Sequence, residues 1–199
     1  MTTFYLIRHG ACDGLGETIW GRTEGICLND EGRVQAEQLA DRFRGVTLDA
    51  IYSSPLERAR ETAEPVARIA QREIRENPAF NEIDFGEWSG KSFESLRHDE
   101  RWRRFNTQRS MARIPGGESF LDAQARAINE LEKLREQHGD ARVAIVSHAD
   151  VIKAVVGYVA GAPIDFWQRL EISPCSVSIV ATNEHETKLL AVNSRSELV

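Results

Sequence analysis

The sequence has only three cysteines among its 199 residues, at positions 12, 27 and 175. An odd number at wide spacing fits neither a disulfide framework nor a zinc site with paired ligands, so the thiols are expected to be reduced. Long apolar runs are missing too. None approaches the roughly 20 residues that a membrane helix needs, so no membrane association is expected. Residues 1–9 contain no basic stretch, apolar core or cleavage site; this argues against a secretory signal and makes the cytoplasm the expected compartment. An excess of positive charge is likewise absent. The net charge is −6, which argues against a surface given over to nucleic acid. Repeats and low-complexity segments do not occur. What remains is 41% apolar and 28% charged, ordinary for a soluble protein. The length suits one domain over 1–199, burying about two-thirds of the surface of the unfolded chain.

The chain is organised around Phe4-Tyr5-Leu6-Ile7 followed by Arg8-His9-Gly10. Four consecutive large apolar residues read as a short strand buried on both faces, as in the interior of a parallel sheet. Gly10 is expected to take backbone angles that side chains disfavour, so that a sharp turn presents Arg8 and His9 at the carboxyl end of the strand. Open α/β sheets bind ligands at that end. A guanidinium matches phosphate oxygens and neutral imidazole is a nucleophile, so this pair can hold and attack a phosphoryl group. Taken alone, the tripeptide equally describes a turn with a half-buried histidine.

Residues 11–25 carry four glycines, at 14, 16, 21 and 25, without helical periodicity, and read as a loop over the strand end. Asn29 caps a helix whose apolar face is Ala36, Leu39, Ala40 and Phe43 and which ends near Gly45. Leu48 to Ser53 is a second strand, and Ser54-Pro55 opens another helix, which Pro65 is expected to kink or divide. Strand, helix, strand, helix implies a parallel sheet with right-handed crossovers. From 75 to 117 this rhythm breaks, and the stretch reads as an insertion with short helices over the site. Ser119 and Asp122 form a capping box for a helix bearing Phe120, Ala127, Leu131 and Leu134. Val143 to Val146 is another buried parallel strand, ending in Ser147-His148, and a helix with Val151, Val155 and Val159 follows. Ser176 to Ala181 and Lys188 to Val192 read as two closing strands.

Two apolar strands far apart in sequence thus each end in a histidine, His9 and His148. In one parallel sheet both would lie on the same edge, with neighbouring strands about 5 Å apart. The strand ending at Ser53 would deliver Arg58 there, at the start of a helix whose free N–H groups favour anions. The pattern resembles the histidine phosphatase superfamily, also called the phosphoglycerate mutase-like family. The matching stretches are Leu6 to Gly10, Leu28 to Ala36, Tyr52 to Ala63, Asn81 to Gly90, Pro115 to Ser119 and Val146 to His148, in family order over nearly the full length. The resemblance implies a three-layer α/β/α sandwich, its central sheet mostly parallel with an antiparallel edge. It implies that His9 is a nucleophile forming a phosphohistidine, that Arg8, Arg58 and His148 bind the phosphoryl group, and that Glu82 is the proton donor. Without it, Glu82 could not be chosen over Glu87 or Glu118. Arg22 and Glu118 are carried as further substrate-binding candidates, Glu118 with the alternative of merely preceding the helix cap at Ser119.

The sequence departs from the family after Arg-His-Gly. Ala11 and Cys12 stand where Glu or Gln and then Thr or Ser are usual, which removes a hydroxyl or carboxylate contact. Cys12 reads as a small space-filling residue rather than a reactive thiol. His98, His138 and His185 match no motif and are expected at the surface. Between 91 and 113, seven Lys or Arg face three acids. This excess could draw anionic substrates, or could be a solvated helix face with Trp102 and Phe105 packed inward. The expected activity is therefore phosphatase action on a small phosphorylated metabolite through phosphohistidine, with no metal or cofactor. Phosphoglycerate mutase-type transfer is the alternative, and a non-catalytic phosphate-binding regulatory module the less favoured one. No nucleic-acid partner is expected, and a homodimer is left open.

Overall fold

In the computed structural model, which describes residues 1–198, the first apolar run forms strand β1 (Thr2–Arg8). Its side chains divide between two cores: Phe4 and Leu6 join one buried cluster, Tyr5 and Ile7 the other. A strand apolar on both faces has to lie inside a sheet covered on both sides, because each exposed large apolar side chain would forfeit about 1.5–3 kcal/mol of burial. Strand β4 (Arg142–Ser147) follows the same rule, with Val143 and Ile145 on one face and Ala144 and Val146 on the other.

The other elements are helix α1 (Asp30–Arg42), strand β2 (Ala50–Ser53), helix α2 (Glu57–Ala70), strand β3 (Ile74–Glu76), helices α3 (Phe93–Leu96), α4 (Glu100–Thr107) and α5 (Phe120–His138), helix α6 (Ala149–Val159), and strands β5 (Val177–Thr182) and β6 (Thr187–Ser194). The sheet order is β3-β2-β4-β1-β5-β6. Its first four strands run parallel, and β5 and β6 form the antiparallel edge. Helices α1 and α2 cover one face through Ala36, Leu39, Ala59, Ala63 and Val66. Helices α5 and α6 cover the other through Ala127, Leu131, Leu134, Val151 and Val155. This is the expected three-layer sandwich, and no helix among the described residues is long and apolar enough to cross a membrane.

Three local expectations need correcting. The irregular stretch read as starting at 75 begins inside β3, a three-residue edge strand paired with β2. Of the kink or division expected at Pro65, the division does not occur: helix α2 runs through Pro65 to Ala70, and the proline costs a backbone hydrogen bond without ending the helix. Gly10 is not among the residues with positive φ. What its position requires is space: a Cβ there would stand 2.8 Å from the Gly32 carbonyl oxygen, where the turn packs on the first turn of α1.

The segment above the sheet edge has a core of its own. Ile83, Phe85, Trp88, Leu96, Phe105 and Ile114 pack with Phe120 and Ala123 of α5 and Ala154 of α6. Trp88 stands edge-on to Trp102 and Phe105, 5.2 and 5.4 Å between ring centroids. The cover is thereby fixed to the same helices that back the sheet.

Candidate active site

Pairing of β1 with β4 sets Arg8 opposite Ser147, so the next residues, His9 and His148, emerge side by side with ring centroids 5.1 Å apart. Strand β2 lies on the other side of β4, and its successor loop feeds α2, which carries Arg58 in its first turn. His148 is the N-cap residue of α6. Two helix N-termini thus meet the carboxyl edge of the sheet, where unpaired N–H groups favour an anion.

His9 is held in one orientation. Its Nδ1 lies 2.7 Å from the Gly10 carbonyl oxygen, which can only accept, so the proton resides on Nδ1 and the lone pair on Nε2. Burial, then the Arg58 and Arg8 charges, keep its pKa well below the ordinary histidine value, so the ring is neutral and nucleophilic at neutral pH. His148 is fixed by a relay. Ser54 Oγ donates to Asn81 Oδ1 at 2.8 Å and therefore accepts from His148 Nε2 at 2.9 Å. Its pKa is also well below the usual value, from burial and then Arg58.

Arg8 donates from Nη1 to the Ile172 carbonyl, and Arg58 from Nη2 to the Gly21 carbonyl. Arg8 Nε, Arg58 Nη1 and His148 Nδ1 are buried without a protein partner. An unmet buried polar atom costs about 1–3 kcal/mol, more when charged, so such a group beside two cations calls for an anion with several oxygens. Arg8, His9, Arg58 and Glu82 line one cleft of about 470 Å³. The loop over the strand end forms part of its wall through Leu15, Ile19 and Trp20, as expected of residues 11–25. A larger groove of about 770 Å³ between α1 and α2 holds none of the candidate residues.

Glu82 is half-buried at the cleft, with Oε1 accepting from the Ile83 N–H at 2.9 Å. Burial raises its pKa to about 7, the Asp150 carboxylate adds to the rise, and the Ile83 hydrogen bond, Arg58 and Arg8 oppose it. A carboxyl in that state can donate a proton near neutrality.

Arg22 and Glu118 come together, but behind Glu82 rather than in the lining of the cleft. Arg22 donates from Nε to the Glu82 carbonyl and from Nη2 to Glu118 Oε1. Glu118 also receives Arg126 from α5 and the Asp84 N–H. Arg126 in turn donates to the carbonyls of Ala79, Asn81 and Glu82. These charges brace the loop that carries Glu82. Arg126 lacked any sequence signal, since one arginine beside an inward alanine on a helix reads as solvated. Asn81 and Ser54 stood inside quoted motifs without an assigned role.

Cys12 borders the cleft at 3% exposure, and burial raises its thiol pKa, in keeping with a space-filling residue. His98 and His185 are exposed, whereas His138 is half-buried with Nε2 2.9 Å from Tyr52 Oη, because the end of α5 packs over β2. Of the basic stretch, Arg101 pairs with Asp99 and Glu87, and Arg103 and Arg104 are exposed. None of the three lines the cleft; Trp102, Asn106 and Arg109 do.

The model of the histidine phosphatase superfamily, branch 1, matches residues 4–195. The chain is 29% identical to phosphoserine phosphatase 1 of Hydrogenobacter thermophilus over 97% of this chain and 92% of that one. It is 32% identical to the probable phosphoglycerate mutase GpmB of Escherichia fergusonii, covering 94% and 87%. Bacillus stearothermophilus YhfR superposes with a TM-score of 0.92 at 28% identity over 99% of both chains. Sheet order, histidine pair and family match agree, and the chain belongs to the histidine phosphatase superfamily, branch 1.

Proposed function

We propose that this enzyme hydrolyses a small phosphorylated metabolite through a phosphohistidine on His9. The observation that carries the reading is the fixed imidazole: Nδ1 is committed to the Gly10 carbonyl, and the neutral ring shares one cleft with Arg8 and Arg58, both of which have a buried nitrogen lacking a protein partner. In the first step the Nε2 lone pair attacks phosphorus and the P–O ester bond breaks. The Glu82 carboxyl gives its proton to the departing alkoxide. In the second step water attacks phosphorus, Glu82 carboxylate takes the water's proton, and the P–N bond breaks to restore His9. Arg8, Arg58 and His148 hold the phosphoryl oxygens, where charge builds in the transition state. A bound phosphate dianion favours protonation of His148 at Nδ1, which then donates to it.

Similarity to a protein named phosphoserine phosphatase supports hydrolysis of a small phosphomonoester. Similarity to proteins named probable phosphoglycerate mutase supports a second reading, transfer back to an acceptor hydroxyl instead of water. Rapid quenching with a labelled phosphomonoester is expected to trap acid-labile, base-stable phosphate on His9, and His9→Ala to lose both labelling and turnover. Undiminished turnover in His9→Ala would sink the mechanism. Phosphate release and 3-phosphoglycerate isomerisation, followed side by side, decide between water and hydroxyl as acceptor.

A further inference from the structure

The cleft holds a second acidic group that the steps above do not use. Asp150 lies in the first turn of α6, two residues after His148, and lines the same cleft as Glu82. Its Oδ2 is 3.7 Å from Nη1 of Arg109. Arg109 is itself set rigidly: Nε donates to the Phe105 carbonyl, Nη2 to Asn106 Oδ1, and the guanidinium stacks 4.4 Å above the Phe105 ring. The segment that follows α4 therefore meets α6 at a carboxylate and guanidinium in the cleft that Glu82 also lines.

We propose that Asp150, with Arg109 as its counter-charge, is a positioning residue that acts through Glu82 on the proton delivered to the leaving oxygen. The inference rests on Glu82 being the general acid. The covalent step balances as before: the Glu82 O–H bond breaks, an O–H bond forms on the leaving alcohol, and P–Nε2 replaces P–O. Asp150 exchanges no proton.

The charges around Glu82 can be placed element by element. Arg8 on β1 and Arg58 on α2 favour its ionised form, Asp150 on α6 disfavours it, and Arg109, following α4, senses both carboxylates. The neutral His9 ring shares the cleft, the Ile83 N–H holds Oε1, and Arg22 and Arg126 are engaged with the backbone carbonyl of Glu82. Lys153 on α6 and Glu171 also line the cleft. Arg8, Arg58 and Arg109 thus favour loss of the proton, and the Asp150 charge opposes them. Removing that charge lowers the Glu82 pKa. Removing Arg109 raises it.

The test is the pH profile of kcat/KM for an alkyl phosphate and for p-nitrophenyl phosphate, with wild type, Asp150→Asn, Asp150→Glu and Arg109→Met. The substrate's own ionisation is common to all four and cancels in ratios to wild type. On the alkyl phosphate, Asp150→Asn is expected to move the alkaline limb about one unit towards acid, a loss of about tenfold above that limb. Asp150→Glu restores the limb, and Arg109→Met moves it the opposite way. On p-nitrophenyl phosphate, whose leaving group needs no proton, profile shapes coincide with wild type. An unmoved alkaline limb in Asp150→Asn, or an equal fall at every pH on both substrates, overturns the proposal. Should Asp150→Asn fail to fold, Asp150→Ala read on the same limb takes its place, and an unmoved limb overturns the proposal. Failure of the underlying reading is recognised separately, because Glu82→Gln would then lower both substrates equally.

Discussion

Glu82 is where burial and charge conflict most directly. Its folded pKa near 7, against about 4.5 unperturbed, means that the native state binds its proton more tightly than the unfolded chain does. The associated stability is fully present below about pH 4.5 and is lost as pH rises through about 7, up to about 3 kcal/mol. Glu82→Gln keeps the amide oxygen for the Ile83 N–H and removes the titration. Melting temperatures of wild type and Glu82→Gln are therefore expected to diverge in favour of the variant as pH rises from 5 to 8. The depressed His9 and His148 titrations are common to both proteins and cancel. Parallel curves would show that Glu82 titrates normally. The catalytic counterpart is a loss in kcat/KM, which reports the phosphorylation step, of about 10²- to 10⁴-fold on an alkyl phosphate and much less on p-nitrophenyl phosphate. Equal losses on the two substrates would make Glu82 a structural carboxylate. At this scale the sequence was legible only where the chemistry lies within a motif. His9, Arg8, Arg58 and His148 follow from strand ends and a helix start. Glu82 needed the resemblance, and Arg22 and Glu118 come together only through Arg126, 104 residues beyond Arg22 in the chain, so their bracing of the Glu82 loop could not be read locally.

Two loop-to-element contacts use missing side chains. A Cβ on Gly32 would stand 2.0 Å from the Ala11 carbonyl oxygen, and one on Gly117 would stand 2.1 Å from that of Asp84. Neither glycine has positive φ, so the constraint is packing rather than backbone angle. The Gly32 contact presses the first turn of α1 against the turn that carries His9. The Gly117 contact clasps Pro115 to Glu118 against the loop that carries Glu82, with Glu118 N–H donating to the Asp84 carbonyl. Each Gly→Ala change is expected to destabilise by about 1–3 kcal/mol through overpacking. Their kinetic signatures should differ. Gly32→Ala displaces His9, the proposed nucleophile, and should lower kcat/KM for alkyl and p-nitrophenyl phosphate alike; Gly117→Ala displaces Glu82, the proposed proton donor, and should lower that for the alkyl substrate more. Matching signatures would mean that the two loops move as one. Element boundaries were readable where caps are chemical, as with the Ser119–Asp122 box, whose reciprocal bonds are present. Strand β3 was not readable, because three residues with only Ile74 half-buried carry too little period to register.

For the molecule as a whole, the site is a stored cost. Arg58 is 2% exposed, and its Nη1, Arg8 Nε and His148 Nδ1 lack protein partners, in a chain whose overall charge is −6. Desolvating such groups opposes folding, and an oxyanion that meets them returns that energy only to the native state. Inorganic phosphate at 100 times its dissociation constant should therefore stabilise by about 2.7 kcal/mol, which for a domain of this size raises the melting temperature by roughly 5–10 °C. Arg58→Met separates the two halves of the argument. Without phosphate it removes a buried, half-partnered cation while retaining much of the apolar stem, so its melting temperature is expected to equal or exceed that of wild type. With phosphate its shift should vanish, because one of the two guanidinium groups that balance the dianion is gone. Exposed Arg103→Met serves as the comparison: it removes the same charge from the molecule away from the cleft and should keep the full phosphate shift. A phosphate shift that survives Arg58→Met but not Arg103→Met would place the anion on the basic face of α4 rather than at the sheet edge, and the converse ties whole-molecule stability to the cations of the cleft.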